Sequence, residues 1–138
     1  LHAHHPDWNI AVTFNTRSLK GQLRQLINTF YIEQTSEEPD WDNVNIIHAW
    51  GAPGGGEKAG IYYAFCSANN VEYYDFLTAR NKYGRTDPFG EICAKALSEA
   101  KTFEPIYDVI LVDEAQDFSP AFLRLCYEML KEPRRLVY

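Results

Sequence analysis

Apolar residues fall along this chain in two rhythms. Short, β-branched apolar runs stand at Asn9–Phe14 (NIAVTF), Val44–Ala49 (VNIIHA) and Val109–Val112 (VILV). Their length and composition predict buried strands. Between them the apolar positions recur at helical spacing. Ser18 caps a predicted helix running to Tyr31, with Leu19, Leu23, Leu26, Ile27 and Phe30 on one face. A second helix is predicted from Asn70 to about Lys82, ended by Gly84. A third starts at Asp87-Pro88, with Phe89, Ile92, Cys93, Ala96 and Leu97 as its stripe. Ser119-Pro120 supplies an N-cap and a first-turn proline for a helix to about Lys131, after which Leu136-Val137-Tyr138 opens a fourth strand. Two stretches follow neither rhythm. The acidic segment Glu33–Asn43 (EQTSEEPDWDN) reads as a surface loop, and residues 51–60 (GAPGGGEKAG) read as a flexible loop with no packing content. Strands alternating with helices predict an α/β fold around a parallel sheet.

Composition narrows the class. At 138 residues the chain is long enough for one ordinary core and too short for two. Its hydrophobic content of 46% suits a folded domain, and no apolar run nears the ~20 residues that cross a bilayer, so no membrane partner is expected. Residues 1–8 (LHAHHPDW) do not resemble a signal peptide, and with no starting Met the sequence reads as a piece of something longer. Cys66, Cys93 and Cys126 are odd in number, widely spaced and set among apolar neighbours. They read as reduced core thiols of a cytoplasmic protein, not as a disulfide framework or a zinc site. A net charge of −6 argues against a whole surface built for nucleic acid. It leaves room for a local basic strip, and Arg17, Lys20 and Arg24 supply one. His2, His4 and His5 lack a fourth ligand and are not read as a metal site.

The stretch that carries chemistry is Ile110–Asp117 (ILVDEAQD), where three aliphatic residues run into two adjacent carboxylates and a third comes three positions later. Like charges this close repel, and carboxylates are costly to desolvate unpaired. A cation answers that problem. In a parallel sheet, functional residues gather at the carboxyl ends of strands, where an Asp can hold Mg²⁺ and a following Glu can address an attacking water. A bare Asp-Glu pair more often marks a solvated strand end with Asx-type capping. The full pattern, apolar strand then Asp-Glu-Ala-Gln-Asp then capped helix, favours the nucleotide site.

VDEAQDFSPAFLRL resembles motif II of superfamily 1 DNA helicases, the UvrD-like group, for which Asp-Glu-x-Gln-Asp is a specific signature. The resemblance implies Asp113 as the Mg²⁺ residue, Glu114 as the catalytic base, and Gln116 as the γ-phosphate sensor that couples hydrolysis to strand movement. AVTFNTRSL at 11–19 is similar to motif Ia, which grips single-stranded DNA, and places Thr13, Phe14 and Arg17 on contact positions. The family more often has Thr-Asn-Lys where this chain has Asn15-Thr16-Arg17. IIHAWG at 46–51 is similar to motif Ib, adding His48 and Trp50 as DNA contacts; this version resembles helicases found behind a nuclease-related (NERD) domain. The resemblance implies an ATP-dependent, 3′–5′ DNA helicase with Mg²⁺ and ATP as cofactors and DNA repair as a setting. The 138 residues would be a single partial RecA-like domain without its phosphate-loop strand, working with the remaining helicase domains. Read from the residues alone, Phe14 and Trp50 are ordinary core aromatics and His48 a satisfied strand histidine. As exposed rings they would stack bases without reading sequence.

Gly51–Ala59 nearly spells the phosphate loop GxxxxGK[ST], but Glu57 stands in the lysine's place, Lys58 comes one residue late, and Ala59 replaces the Ser or Thr. With no helix expected directly after it, the stretch also lacks a helix dipole for phosphates. Two rivals remain at this level: a non-catalytic nucleic-acid-binding or interaction module on the same scaffold, and a metal nuclease using Asp108, Asp113 and Glu114.

Overall fold

The computed structural model describes residues 3, 5, 7–14 and 19–138. Four strands, β1 (Ile10–Phe14), β2 (Val44–His48), β3 (Tyr107–Val112) and β4 (Leu130–Val137), form one all-parallel sheet in the order β2-β1-β3-β4. The three predicted strands thus lie side by side. Every residue of β1 is buried, as a central strand covered on both faces requires. Their register pairs Phe14 with His48 and Thr13 with Val112, so the carboxyl ends share one edge. The architecture is α/β, a parallel sheet flanked by helices, consistent with a partial RecA-like domain.

Among the described residues there are five α-helices: α1 (Leu19–Thr35), α2 (Ile61–Ala68), α3 (Phe76–Tyr83), α4 (Pro88–Glu99) and α5 (Pro120–Glu128). Leu23 and Ile27 of α1 pack with Val12, Phe14, Ile46 and Leu111 on one face. On the other, Ile61 and Phe65 of α2, Ile92 and Cys93 of α4, and Phe122 and Leu125 of α5 join Ala11, Ile47 and Ile110 in the larger core. Among the described residues no helix is long and apolar enough to cross a membrane.

Several boundaries differ from the sequence pattern, each for a local reason. Helix α1 continues through Glu33–Thr35, so the acidic loop begins later than expected. Backbone bonding carries its polar last turn, Ser36 N–H donating to Ile32 (2.8 Å), until Ser36 turns left-handed at φ 62°. Helix α2 was not expected, because IYYAFCSA is apolar nearly all round and hides its period. Asn70, expected to open a helix, adopts φ 54° just beyond α2. The real start of α3 is Asp75, whose carboxylate accepts from Thr78 N–H at 2.8 Å. Asp87 caps α4 in the same way, through Gly90 N–H at 3.1 Å. Helix α5 stops at Glu128, short of Lys131, and β4 begins at Leu130 instead of Leu136. Lys131-Glu132-Pro133 give no strand signal because this outer strand leaves them exposed.

Cys66, Cys93 and Cys126 are free and buried in the core. Burial pushes the Cys66 thiol up from its ordinary 9.0 to about 11, and it raises Cys93 and Cys126 as well. A thiol whose folded pKa lies above its unfolded one contributes stability that is full below the unfolded value and lost as pH climbs through the folded one. Urea midpoints should therefore hold up to about pH 9 and fall towards pH 11. A flat profile over that window would place the thiols in contact with water.

Candidate functional site

The chain leaves β1 for α1 on one face of the sheet, and leaves β3 for α5 on the other. Loops that part to opposite faces from neighbouring strands open a crevice beyond their carboxyl ends, where open α/β sheets bind ligands. Here the switch point falls between β1 and β3, beside Thr13-Phe14 and Asp113. Asp113 N–H donates to the Thr13 carbonyl at 2.9 Å, fixing the acid there. The Thr13 side chain is fully buried, and its hydroxyl finds no partner among the described residues.

Glu114 comes next, in a left-handed conformation (φ 56°, ψ 48°). For a residue with a Cβ this costs on the order of 1 kcal/mol and is typical of functional turns. The bend takes the chain out of the strand line into a short 3-10 turn over Ala115–Asp117, closed by Asp117 N–H donating to the Glu114 carbonyl (2.9 Å). Glu114 and Gln116 are exposed, and the Gln116 amide donates to a Glu114 carboxylate oxygen. The base and sensor implied by the resemblance therefore touch. Among the described residues no group of three His, Cys, Asp or Glu side chains is placed to hold a metal ion.

The expected strand contacts divide. Arg17 lies outside the described residues, as do His2 and His4. Phe14 has no exposed surface: it packs between Val12, Ile46, Leu23, Ile27 and Trp41, with His48 across it at 4.8 Å between ring centroids. In this conformation it has no free face for a base, and it sits as the core aromatic that its residue type alone suggests and not as the exposed ring that the resemblance implies. Thr13 is likewise buried. His48 is half-buried at the end of β2. Trp50 is half-buried too, its indole N–H donating to the Tyr74 carbonyl at 2.8 Å and its ring lying 4.9 Å from Phe89. Arg24 lies over Trp41 at 4.1 Å, and His5 stacks on Trp8 at 3.8 Å.

The glycine-rich loop is not free of packing. A Cβ on Gly60 would lie 2.3 Å from Gly51 Cα, so the two ends of the loop cross at a distance only glycines permit. His48 N–H donates to the Ala59 carbonyl at 3.2 Å and Ala52 N–H to Lys58 at 2.6 Å. A helix does begin directly afterwards, contrary to expectation. Two of its first-turn N–H groups are already used: Tyr62 donates to Ala49 (2.9 Å) and Tyr63 to Trp50 (3.0 Å). A phosphate needs such groups unbonded, so these two are closed to it.

Asp108 sits near the amino end of β3, accepting from Asn9 N–H at 2.8 Å with Lys131 3.8 Å away. The strand separates it from Asp113 by about 16 Å at ~3.3 Å per residue. One metal cannot bridge them, so the nuclease constellation is not formed. Sequence reasoning also missed Tyr73, Phe76 and Phe89, which join His48 and Trp50 around a cavity of about 500 Å³. The available signal was the interleaving of aromatic and basic residues from Tyr73 to Phe89. Comparison of the chain with protein-family models, with curated proteins and with solved structures found no match.

Proposed function

We propose that this chain is part of an ATP-dependent DNA helicase of the superfamily 1, UvrD-like type, coupling ATP hydrolysis to movement along single-stranded DNA. The observation that carries the reading is Asp113-Glu114 at the carboxyl end of β3, beside the switch point of a parallel sheet, with Gln116 bonded to Glu114. Asp113 would hold Mg²⁺, which supplies charge neutralisation to the nucleotide's phosphates. Glu114, bent out of the strand line, accepts a proton from the attacking water at its carboxylate. Gln116 lies one hydrogen bond away, so a change in its position on meeting the γ-phosphate reaches the base directly. His48 and Trp50, two strands across at the same sheet edge, are about 10 Å off by strand spacing, near enough for strand and nucleotide to act through one rigid sheet.

These 138 residues alone should neither bind nor hydrolyse ATP. Phosphoryl transfer depends on positioning and on neutralising phosphate charge. Two carboxylates cannot cradle phosphates, and the loop that most resembles a cradle has Glu57 where the phosphate-binding lysine would stand. Calorimetry at millimolar ATP should register no heat of binding. Appreciable ATPase activity from the isolated chain would mean that the phosphate site is built from other residues.

A further inference from the structure

The cavity beside β2 has aromatic walls held in place by polar ties. Trp50 is fixed through Tyr74, and the Tyr73 hydroxyl donates to the Gly51 carbonyl at 2.6 Å. Its volume of about 500 Å³ falls within the ~300–1,000 Å³ typical of small-ligand sites. Phe76, on the first turn of α3, forms one rim 5.8 Å from Trp50, and it is 58% exposed. A groove lined by Phe76, Arg80, Arg85 and Pro88 adjoins the cavity, sharing Phe76 and Pro88 with it. Neither arginine pairs with a carboxylate among the described residues. The one acid in the cavity wall, Asp87, is turned to cap Gly90 N–H.

An exposed ring over an aromatic hollow, with two uncommitted guanidiniums along its lip, matches a repeating ligand of flat rings on an anionic thread. We infer that Phe76, Arg80 and Arg85 form a subsite for one nucleotide unit of a single strand, the base entering the hollow against Phe76 and the phosphate meeting the arginines. Phe76, Arg80 and Arg85 lie on α3 and the α3–α4 turn, outside the segments that resemble motifs Ia, Ib and II, although His48 and Trp50 of the motif Ib segment wall the hollow they adjoin; the subsite relies on the helicase reading for the identity of the polymer. A net charge of −6 makes the local arginine pair more telling, because most of the surface repels a polyanion. An acidic peptide with aromatic side chains would meet the same charge, but it lacks the regular alternation of ring and phosphate that the paired hollow and groove present.

The test is fluorescence anisotropy of a labelled oligothymidylate with this chain at low salt. Phe76→Ala should weaken binding about tenfold, equally for oligothymidylate and oligoadenylate, since stacking does not read sequence. Arg80→Ala with Arg85→Ala should lower the salt slope by about 1.4, two contacts at ~0.7 each for single strands. Lys101→Ala, an exposed cation elsewhere, should change neither. Phe76 and both arginines sit at the surface, and matching thermal unfolding will establish that the variants are folded. Wild-type affinity in Phe76→Ala, or no binding by the unaltered chain at low salt, overturns the subsite. Equal, Phe76-dependent affinity for a Phe/Glu-rich peptide overturns the nucleic-acid assignment in favour of a protein partner. The motor reading fails separately: it rests on turnover lost in Glu114→Gln, which the subsite does not touch.

Discussion

Glu114→Gln in the proposed helicase should cut ATP turnover by about 100- to 10,000-fold while leaving ATP affinity near wild type. A positioned general base contributes about that factor, on the order of 3–5 kcal/mol of barrier. The substitution is nearly isosteric, and Glu114 is exposed, so no packing is lost. Its left-handed backbone is held by the 3-10 turn after it, not by its carboxylate. An amide at this position can still accept from Gln116 through its carbonyl oxygen. It cannot take a proton from water. Binding and chemistry should therefore separate cleanly. Single-turnover hydrolysis and equilibrium nucleotide binding, measured on the same preparation, would check this; hydrolysis at the wild-type rate would falsify Glu114 as the base.

The second large effect is on folding. Phe14→Ala should cost about 3–5 kcal/mol, the usual range for truncating a buried phenylalanine. Phe14 is wholly enclosed in the smaller core beneath α1, which among the described residues Leu23, Ile27 and Trp41 close from the helix side. Domains of this size hold roughly 5–15 kcal/mol in all, so much of the total goes with one ring. A stacking contact with DNA would be worth only ~1–3 kcal/mol and would leave folding untouched. The two roles thus differ in size and in readout. A urea midpoint unchanged in Phe14→Ala, together with weakened strand binding, would return Phe14 to the DNA contacts.

Legibility depends on the kind of signal each element carries. β1, β2 and β3 were readable because strands buried on both faces are short continuous apolar runs. α4 was readable from Asp87-Pro88 at its start, where cap and proline act within a few residues of each other. α2 was not, because a helix buried on most sides shows no polar face to set its period. β4 was legible only at Leu136-Val137, because its first half is polar and exposed and takes its conformation from the ladder with β3. At the site, the acids were legible as a local word, ILVDEAQD. Phe76, Arg80 and Arg85 were not, because their meaning depends on Trp50 and Phe89 arriving from other elements.

The α/β class, the first three strands and the two acids at a strand end were legible along the chain, since each is written in residues adjacent in sequence. Tertiary structure alone decided that β1 lies between β2 and β3, and therefore that the switch point falls beside Asp113. It alone chose for Phe14 between the core and an exposed strand end, because which face a strand residue takes depends on where the covering helix packs. It also closed the glycine-rich loop, through a crossing of Gly51 and Gly60 nine residues apart. Such contacts join segments by excluding water between them, and a linear pattern does not name the partner on the other side.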